Sequence, residues 1–266
     1  MTLKKTVEKA LDMARALALE AGGLLMSRLG TDVGMQLKGE VDPVTELDRR
    51  VEELIVGRLE SEFTDHDFLA EEHTRSLGGS PWLWVIDPLD GTTNYAHGYP
   101  CFAVSIALKH EGETCMGVVY QPATAEMFTA IRGGGAWMGG RRLAVSSQTD
   151  LSRSFLVTGF PYDLRQPGVL ERNLVPFRRL LAASFAVRRD GSAAYDLACV
   201  AAGRFDGYWE KSLKPWDTAA GVLLVREAGG VVSACDGGVF TDGHPEGVVA
   251  AGTPELHGAL LREVMS

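Results

Sequence analysis

A chain of 266 residues, 45% hydrophobic and 23% charged, has a globular composition and enough length to bury a core without disulfide staples. At roughly 150 residues per domain it makes one large domain or two joined closely. Its 35 acids outnumber 26 bases, and the net charge of −9 argues against a general phosphate-backbone binder; the surplus fits either a solvated acidic surface or acids gathered round hard cations.

The N-terminal segment predicts an amphipathic helix, with Val7, Leu11, Ala14, Leu17, Ala18, Ala21, Leu24 and Leu25 at helical spacing. Lys4, Lys5, Glu8, Lys9, Asp12, Arg15 and Glu20 interrupt it, so no signal-peptide core is expected there. No stretch reaches the roughly 18 apolar residues of a membrane span. A second helix is expected from about Glu46 to Leu59, opened by a capping-box pattern from Thr45 to Asp48. Trp82–Ile86 reads as a short buried strand ending at Asp87-Pro88. Phe102–Leu108, Thr114–Tyr120 and Glu126–Ile131 read as an antiparallel meander, and the glycines at 133–135 and 139–140 as turns.

From about 150 strands alternate with helices. Strands are expected at Phe155–Thr158, near 184–188, at Phe205–Glu210, Val231–Ala234 and Gly247–Ala251. Helices are expected near 168–182, over Ser192–Ala202 and Asp217–Ala228, and after Thr253-Pro254. Without a long linker, 1–266 reads as a single domain. Its first half, about 1–150, holds the antiparallel strands, and its second, about 151–266, alternates α and β. The four cysteines form no CxxC pair and read as reduced, packed thiols of a cytoplasmic protein.

Familiar motifs fail. Gly133-x-Gly135 lacks a third glycine, Gly34 and Gly39 have phosphate-loop spacing with Glu40 in place of lysine, and His110-Glu111 meets Thr114 where a zinc-binding helix needs histidine. What remains is Asp87-Pro88-Leu89-Asp90-Gly91-Thr92-Thr93-Asn94. Two carboxylates three residues apart can converge across a turn, and Gly91–Thr93 offer N–H groups and hydroxyls for a phosphate. Acids beside a phosphate need cations between them, and Mg²⁺ favours that mixed oxygen shell.

This octet resembles a signature of the inositol monophosphatase family of Mg²⁺-dependent, lithium-sensitive sugar phosphatases. Pro215-Trp216-Asp217-Thr218-Ala219-Ala220-Gly221 with Glu227–Gly230 resembles a second signature, and Ala70-Glu71-Glu72, Lys38, Val44–Asp48, Gly191–Ala194 and Trp209-Glu210 match in the same order. Thr158–Tyr162 and Ala201–Arg204 look most like bacterial members.

The resemblance implies a layered α+β/α/β sugar-phosphatase fold, αβαβα, two or three Mg²⁺ ions and a homodimer. It assigns metal binding to Glu71, Asp87, the Leu89 carbonyl, Asp90 and Asp217, with Asp87 bridging two ions. Glu71, Thr92 and Asp48 would be catalytic, Thr92 and Asp48 orienting and deprotonating the attacking water. Asp90, Gly91, Thr92, Thr93, Ser192, Ala193, Glu210 and Asp217 would contact a small phosphorylated polyol or sugar. Ser192 also reads as a helix cap, Asp48 and Asp217 as capping acids, and Glu72 as a solvated acid. Lys38 reads either as a surface lysine or as a group near the metals, and Arg188 and Arg189 as facing substrate or a subunit interface. Fructose 1,6-bisphosphate, histidinol phosphate and adenosine 3′,5′-bisphosphate are alternative substrates. Bacterial relatives also serve in transcription antitermination complexes, so transcription-factor partners are a second class of expectation, with direct nucleic-acid binding disfavoured by the charge.

Overall fold

The computed structural model describes residues 2–31, 34, 36–38 and 42–265, without the side chains of 36–38 and 42–44. Gly39, Glu40 and the Lys38 side chain lie outside the described residues. Helix α1 (Leu3–Arg28) is followed by β1 (Gln36–Lys38), β2 (Asp42–Val44) and α2 (Glu46–Glu62). Then come β3 (Asp67–Ala70), β4 (Arg75–Ser76), β5 (Trp82–Asp90), the short α3 (Thr92–Ala96), β6 (Ala103–His110), β7 (Glu113–Gln121), β8 (Glu126–Ile131), β9 (Gly135–Met138) and β10 (Arg141–Arg142). The second half holds β11 (Phe155–Thr158), α4 (Val169–Ala183), β12 (Ala186–Arg188), α5 (Ala193–Ala201), β13 (Gly207–Glu210), α6 (Pro215–Glu227), β14 (Val231–Ala234), β15 (Val248–Ala251) and α7 (Pro254–Met265).

The strands build an eight-stranded sheet, ordered β10-β9-β8-β7-β6-β5-β3-β4, and a five-stranded one, β12-β11-β13-β15-β14. The first is antiparallel except between β3 and β5; in the second, β11 runs parallel to both β12 and β13.

Side-chain alternation sorts these sheets into layers. On β5, Trp84 and Ile86 join the core under α1 and α2, while Val85 joins that of α5 and α6. In the second sheet, Val157, Tyr208 and Ala250 face α5 and α6, while Leu156, Trp209 and Val249 meet Leu180 of α4 and Leu256 and Leu260 of α7. The sequence of layers is therefore αβαβα, as expected. Helix α6 is buried without a break from Thr218 to Val225 because sheets cover it on both sides. Gly117 of β7 permits this closeness, since a Cβ there would lie 2.9 Å from the Ala220 backbone.

Two expectations need correction. Strand β5 does not stop at Asp87-Pro88 but continues to Asp90, with a bulge between Asp87 and Asp90 that accommodates a proline without an N–H. The glycine-rich turns enclose a further hairpin, β9–β10. The strand expected near 184–188 is found at Ala186–Arg188. All four cysteines are buried and unbridged. No described helix is long and apolar enough to cross a membrane.

Candidate active site

The bulged end of β5 gathers the site. Pro88 cannot donate to the ladder, and the Leu89 N–H turns back to Asp87 Oδ1 at 3.0 Å. The strand ends at Asp90, and Gly91 takes φ +93°, where a Cβ would lie 2.9 Å from the Cys101 carbonyl and 3.2 Å from that of Gly191. Only glycine fits that turn. Helix α3 starts at once, so its first N–H groups, at Thr92 and Thr93, have no intrahelical acceptor. Asn94 holds the arrangement: its amide donates to Cys101 O at 2.7 Å and Asp190 O at 2.8 Å, tying the loop before α5 to the segment after α3.

Neighbouring elements deliver the other acids. The parallel register pairs Ala70 with Ile86, and the Glu71 N–H donates to Ile86 O at 3.2 Å, which puts Glu71 beside Asp87. Asp90 accepts from the Ser192 hydroxyl at 2.6 Å and from the Ala193 and Ala194 N–H groups at 3.2 and 2.8 Å. Ser192 therefore serves Asp90 and makes no side-chain cap of α5. Asp217 accepts from the Lys214 N–H at 2.6 Å, so it caps α6 while facing the same acids.

Burial and mutual repulsion dominate the electrostatics. Asp87 is pushed well above the ordinary carboxylate range, first by desolvation and then by Glu71, Asp90 and Asp217, and it hydrogen-bonds Glu71. Asp217 is raised well above its usual value by desolvation and by Asp90. Asp90 is raised by desolvation to about 6, its hydrogen-bond donors working the other way. Among the described residues, Asp87, Asp90 and Asp217 have no lysine or arginine side-chain partner. In the same set no three acidic, histidine or cysteine side chains stand as a ready-made metal nest. The donor set, all oxygen and strongly anionic once deprotonated, fits a hard divalent cation.

Thr92 and Asp48 stand next to this cluster. Asp48 completes the capping box of α2: its Oδ2 accepts from Thr45, and its Oδ1 accepts from the Thr92 hydroxyl at 2.9 Å. That hydroxyl also lies 3.0 Å from the Leu89 carbonyl. The cap and the contact with Thr92 thus use different oxygens of one carboxylate.

A cavity of about 350 Å³ opens beside these acids, lined by Glu71, Asp217, Glu210, Trp216, Phe160 and Tyr162 among others. Glu210 is buried, accepts from the Tyr208 hydroxyl at 2.6 Å, and fills the space above Gly159 where any side chain would collide. The Arg189 guanidinium lies over the Phe160 ring and acts on Glu210, whereas Arg188 lies over Phe155. Arg189 thus belongs to the cavity side. The sequence reading quoted Asn94 and Gly159 without giving them a role, and it missed Tyr208 and Asp196, a buried acid of α5 whose oxygens lack hydrogen-bond partners among the described residues. It also missed Glu52, whose carboxylate accepts from the Glu72, His73 and Thr74 N–H groups. Glu52 falls on the buried stripe of α2 with Asp48 and Ile55, and an acid on an apolar stripe is the signal that marks it.

Desolvation raises Glu210 from 4.5 to about 7, against the Tyr208 hydrogen bond. A carboxyl raised on folding stabilises fully below about pH 4.5 and loses that contribution as pH rises through about 7. In metal-free protein, Glu210→Gln is expected to match wild type near pH 4.5 and to exceed it by on the order of 3 kcal/mol near pH 8.5. Thermal unfolding in chelator at both pH values checks this; a pH-independent difference rejects it.

The inositol monophosphatase family model matches residues 6–266. The chain belongs to the inositol monophosphatase family. Within it, the inositol-1-monophosphatase of Mesorhizobium japonicum is 46% identical over 250 residues, covering 93% of this chain and 92% of that protein. The Nus factor SuhB of Pseudomonas aeruginosa is 43% identical, covering 97% of this chain and 96% of that protein. The crystal structure of the extragenic suppressor protein suhB from Bartonella henselae superposes with a TM-score of 0.90 at 40% identity, covering 96% of this chain and 98% of that one. Membership in the inositol monophosphatase family supports a phosphatase with a divalent-cation cofactor.

Proposed function

We propose that the chain is a Mg²⁺-dependent phosphomonoesterase acting on inositol monophosphate or a similar polyol or sugar phosphate. The observation that carries this reading is the convergence of Glu71, Asp87, Asp90 and Asp217 beside the Thr92–Asp48 pair. Glu71, Asp87, Asp90, Asp217 and the Leu89 carbonyl would hold two or three Mg²⁺ ions. When bound, Mg²⁺ supplies positive charge for the phosphate oxygens and lowers the pKa of a water molecule.

The remaining work belongs to side chains and backbone. A water at Thr92 gives its proton to Oγ1 as the hydroxyl proton passes to Asp48 Oδ1, 2.9 Å away. The N–H groups of Gly91, Thr92 and Thr93 receive the phosphate oxygens. Ser192 and the N–H groups of Ala193 and Ala194 keep Asp90 aimed while polyol hydroxyls approach. Ionised Glu210, steadied by Tyr208, accepts from those hydroxyls. The same proposal includes a homodimer, favoured by Phe185, 77% exposed beside the edge strand β12.

A panel of phosphorylated polyols and sugars, assayed with Mg²⁺, with chelator and with Li⁺, tests the reading. Hydrolysis of monophosphates is expected with Mg²⁺ alone, and inhibition by Li⁺. Turnover in chelator overturns the cation dependence, and a preference for fructose 1,6-bisphosphate moves the substrate assignment. A second reading, an adaptor in transcription antitermination complexes, is favoured by likeness to the Nus factor SuhB. That role predicts partner capture that survives Asp87→Asn.

A further inference from the structure

Glu52 is 2% exposed, one turn beyond Asp48 on the buried side of α2. A buried carboxylate needs donors. It finds four, all in the turn that follows Glu71. Its Oε2 accepts from the Glu72 N–H at 2.7 Å. Its Oε1 accepts from the His73 N–H at 2.9 Å, the Thr74 N–H at 2.8 Å and the Thr74 hydroxyl at 2.9 Å. Three successive N–H groups wrapped on one anion form a nest. The Ala70 N–H closes the turn on Thr74 O at 2.8 Å, and the Glu71 N–H is bound to Ile86 O. The Glu71 backbone is thus held from β5 on one side and from α2 on the other. Both oxygens of Glu52 are engaged by this turn, so its effect on the cluster runs through Glu71.

We propose that Glu52 is a positioning residue of the cation site, clamping the 71–74 turn so that Glu71 is held beside Asp87 before a cation arrives. This rests on the reading of Glu71 as a cation ligand. Without the clamp, three part-buried N–H groups lose their acceptor and the turn must be ordered at the expense of cation binding. Gln at 52 keeps an oxygen for His73 and Thr74 but turns an NH₂ toward the Glu72 N–H, so donor meets donor.

Asp67 provides an internal control. On β3 its carboxylate accepts from the Gly78, Gly79 and Ser80 N–H groups, a clamp of the same kind on a turn that carries no residue of the acid cluster.

Calorimetric titration of the full chain with Mg²⁺ alone, on wild type, Glu52→Gln, Asp67→Asn and Glu71→Gln, tests the proposal. Glu52→Gln and Glu71→Gln are each expected to weaken Mg²⁺ binding about tenfold or more. Asp67→Asn is expected to bind as wild type does. Turnover of Glu52→Gln is expected to return near wild type at saturating Mg²⁺, with an unchanged KM for the phosphate ester. If Glu52→Gln does not fold, Thr74→Val removes one of the four donors and is expected to shift Mg²⁺ affinity in the same direction by less. If both variants bind Mg²⁺ as Asp67→Asn does while Glu71→Gln is weakened, the clamp is overturned. If Glu71→Gln binds as wild type does, the ligand assignment falls and the clamp with it.

Discussion

Asp87→Asn is expected to lower kcat/KM by about 10³-fold or more with the fold intact, because several kcal/mol of charge stabilisation in the transition state is lost and each 1.36 kcal/mol is a factor of ten. Asp87 is 1% exposed and sits nearest the shared repulsion of Glu71, Asp90 and Asp217. Asn keeps its size and its acceptor for the Leu89 N–H. What it removes is the negative charge that would bridge two cations. The metal-free protein is expected to tolerate the change well, since the wild-type carboxyl is already pushed toward its neutral form. Mg²⁺ is therefore expected to raise the melting temperature of wild type and not of the variant. Steady-state kinetics and melting curves with and without Mg²⁺ check both statements, and near-wild-type turnover rejects the bridging role. In the adaptor reading the same variant captures its protein partners undiminished, which separates the two functions in one preparation.

Local patterning made the long elements legible. The helical stripe of α1, the meander β6–β8 and the second-half alternation lie close to where their apolar periods put them. The short strands β3 and β4 were hidden because four and two residues are too few to show an alternation, and β3 is held by a parallel pairing with β5 that no local spacing reveals. Pro88 misled for a related reason, since a proline reads as a stop and only the partner strand shows that a bulge absorbs it. At the site, the acids were legible because each sits in a motif. Ser192 was read both as a substrate contact and as a helix cap; it makes no side-chain cap, and its hydroxyl goes to Asp90 across 102 positions of chain. Glu52 escaped because its chemistry is aimed at backbone N–H groups twenty residues away, which leave no side-chain signature. The charge balance also changes meaning. Setting aside Asp48, Glu71, Asp87, Asp90, Glu210 and Asp217 leaves 29 acids against 26 bases, so most of the surplus of nine resides at this cluster rather than over the surface.

Asp48→Asn and Thr92→Val are each expected to lower kcat by about 10²- to 10⁴-fold, the range of a lost general base. The geometry explains why so conservative a change at 48 is costly. Thr45 donates twice to Oδ2 of Asp48, through its N–H and its hydroxyl, while Oδ1 accepts from Thr92. An asparagine must offer its single oxygen to Thr45 to keep the cap, which turns its NH₂ toward Thr92. The Thr92 oxygen then receives a hydrogen bond where it formerly gave one, and it can no longer pass a proton on while taking one from water. Reversing the amide restores Thr92 but leaves the cap donors unmatched, at about 1 kcal/mol of helix stability. Because the two residues act as one relay, the double variant is expected to be little worse than either single one. Neither residue is assigned to the cation, so half-saturation by Mg²⁺ is expected to stay at the wild-type value. Kinetics of the two single variants and the double across Mg²⁺ concentration decide the matter: losses that multiply, or a shifted Mg²⁺ requirement, reject the relay.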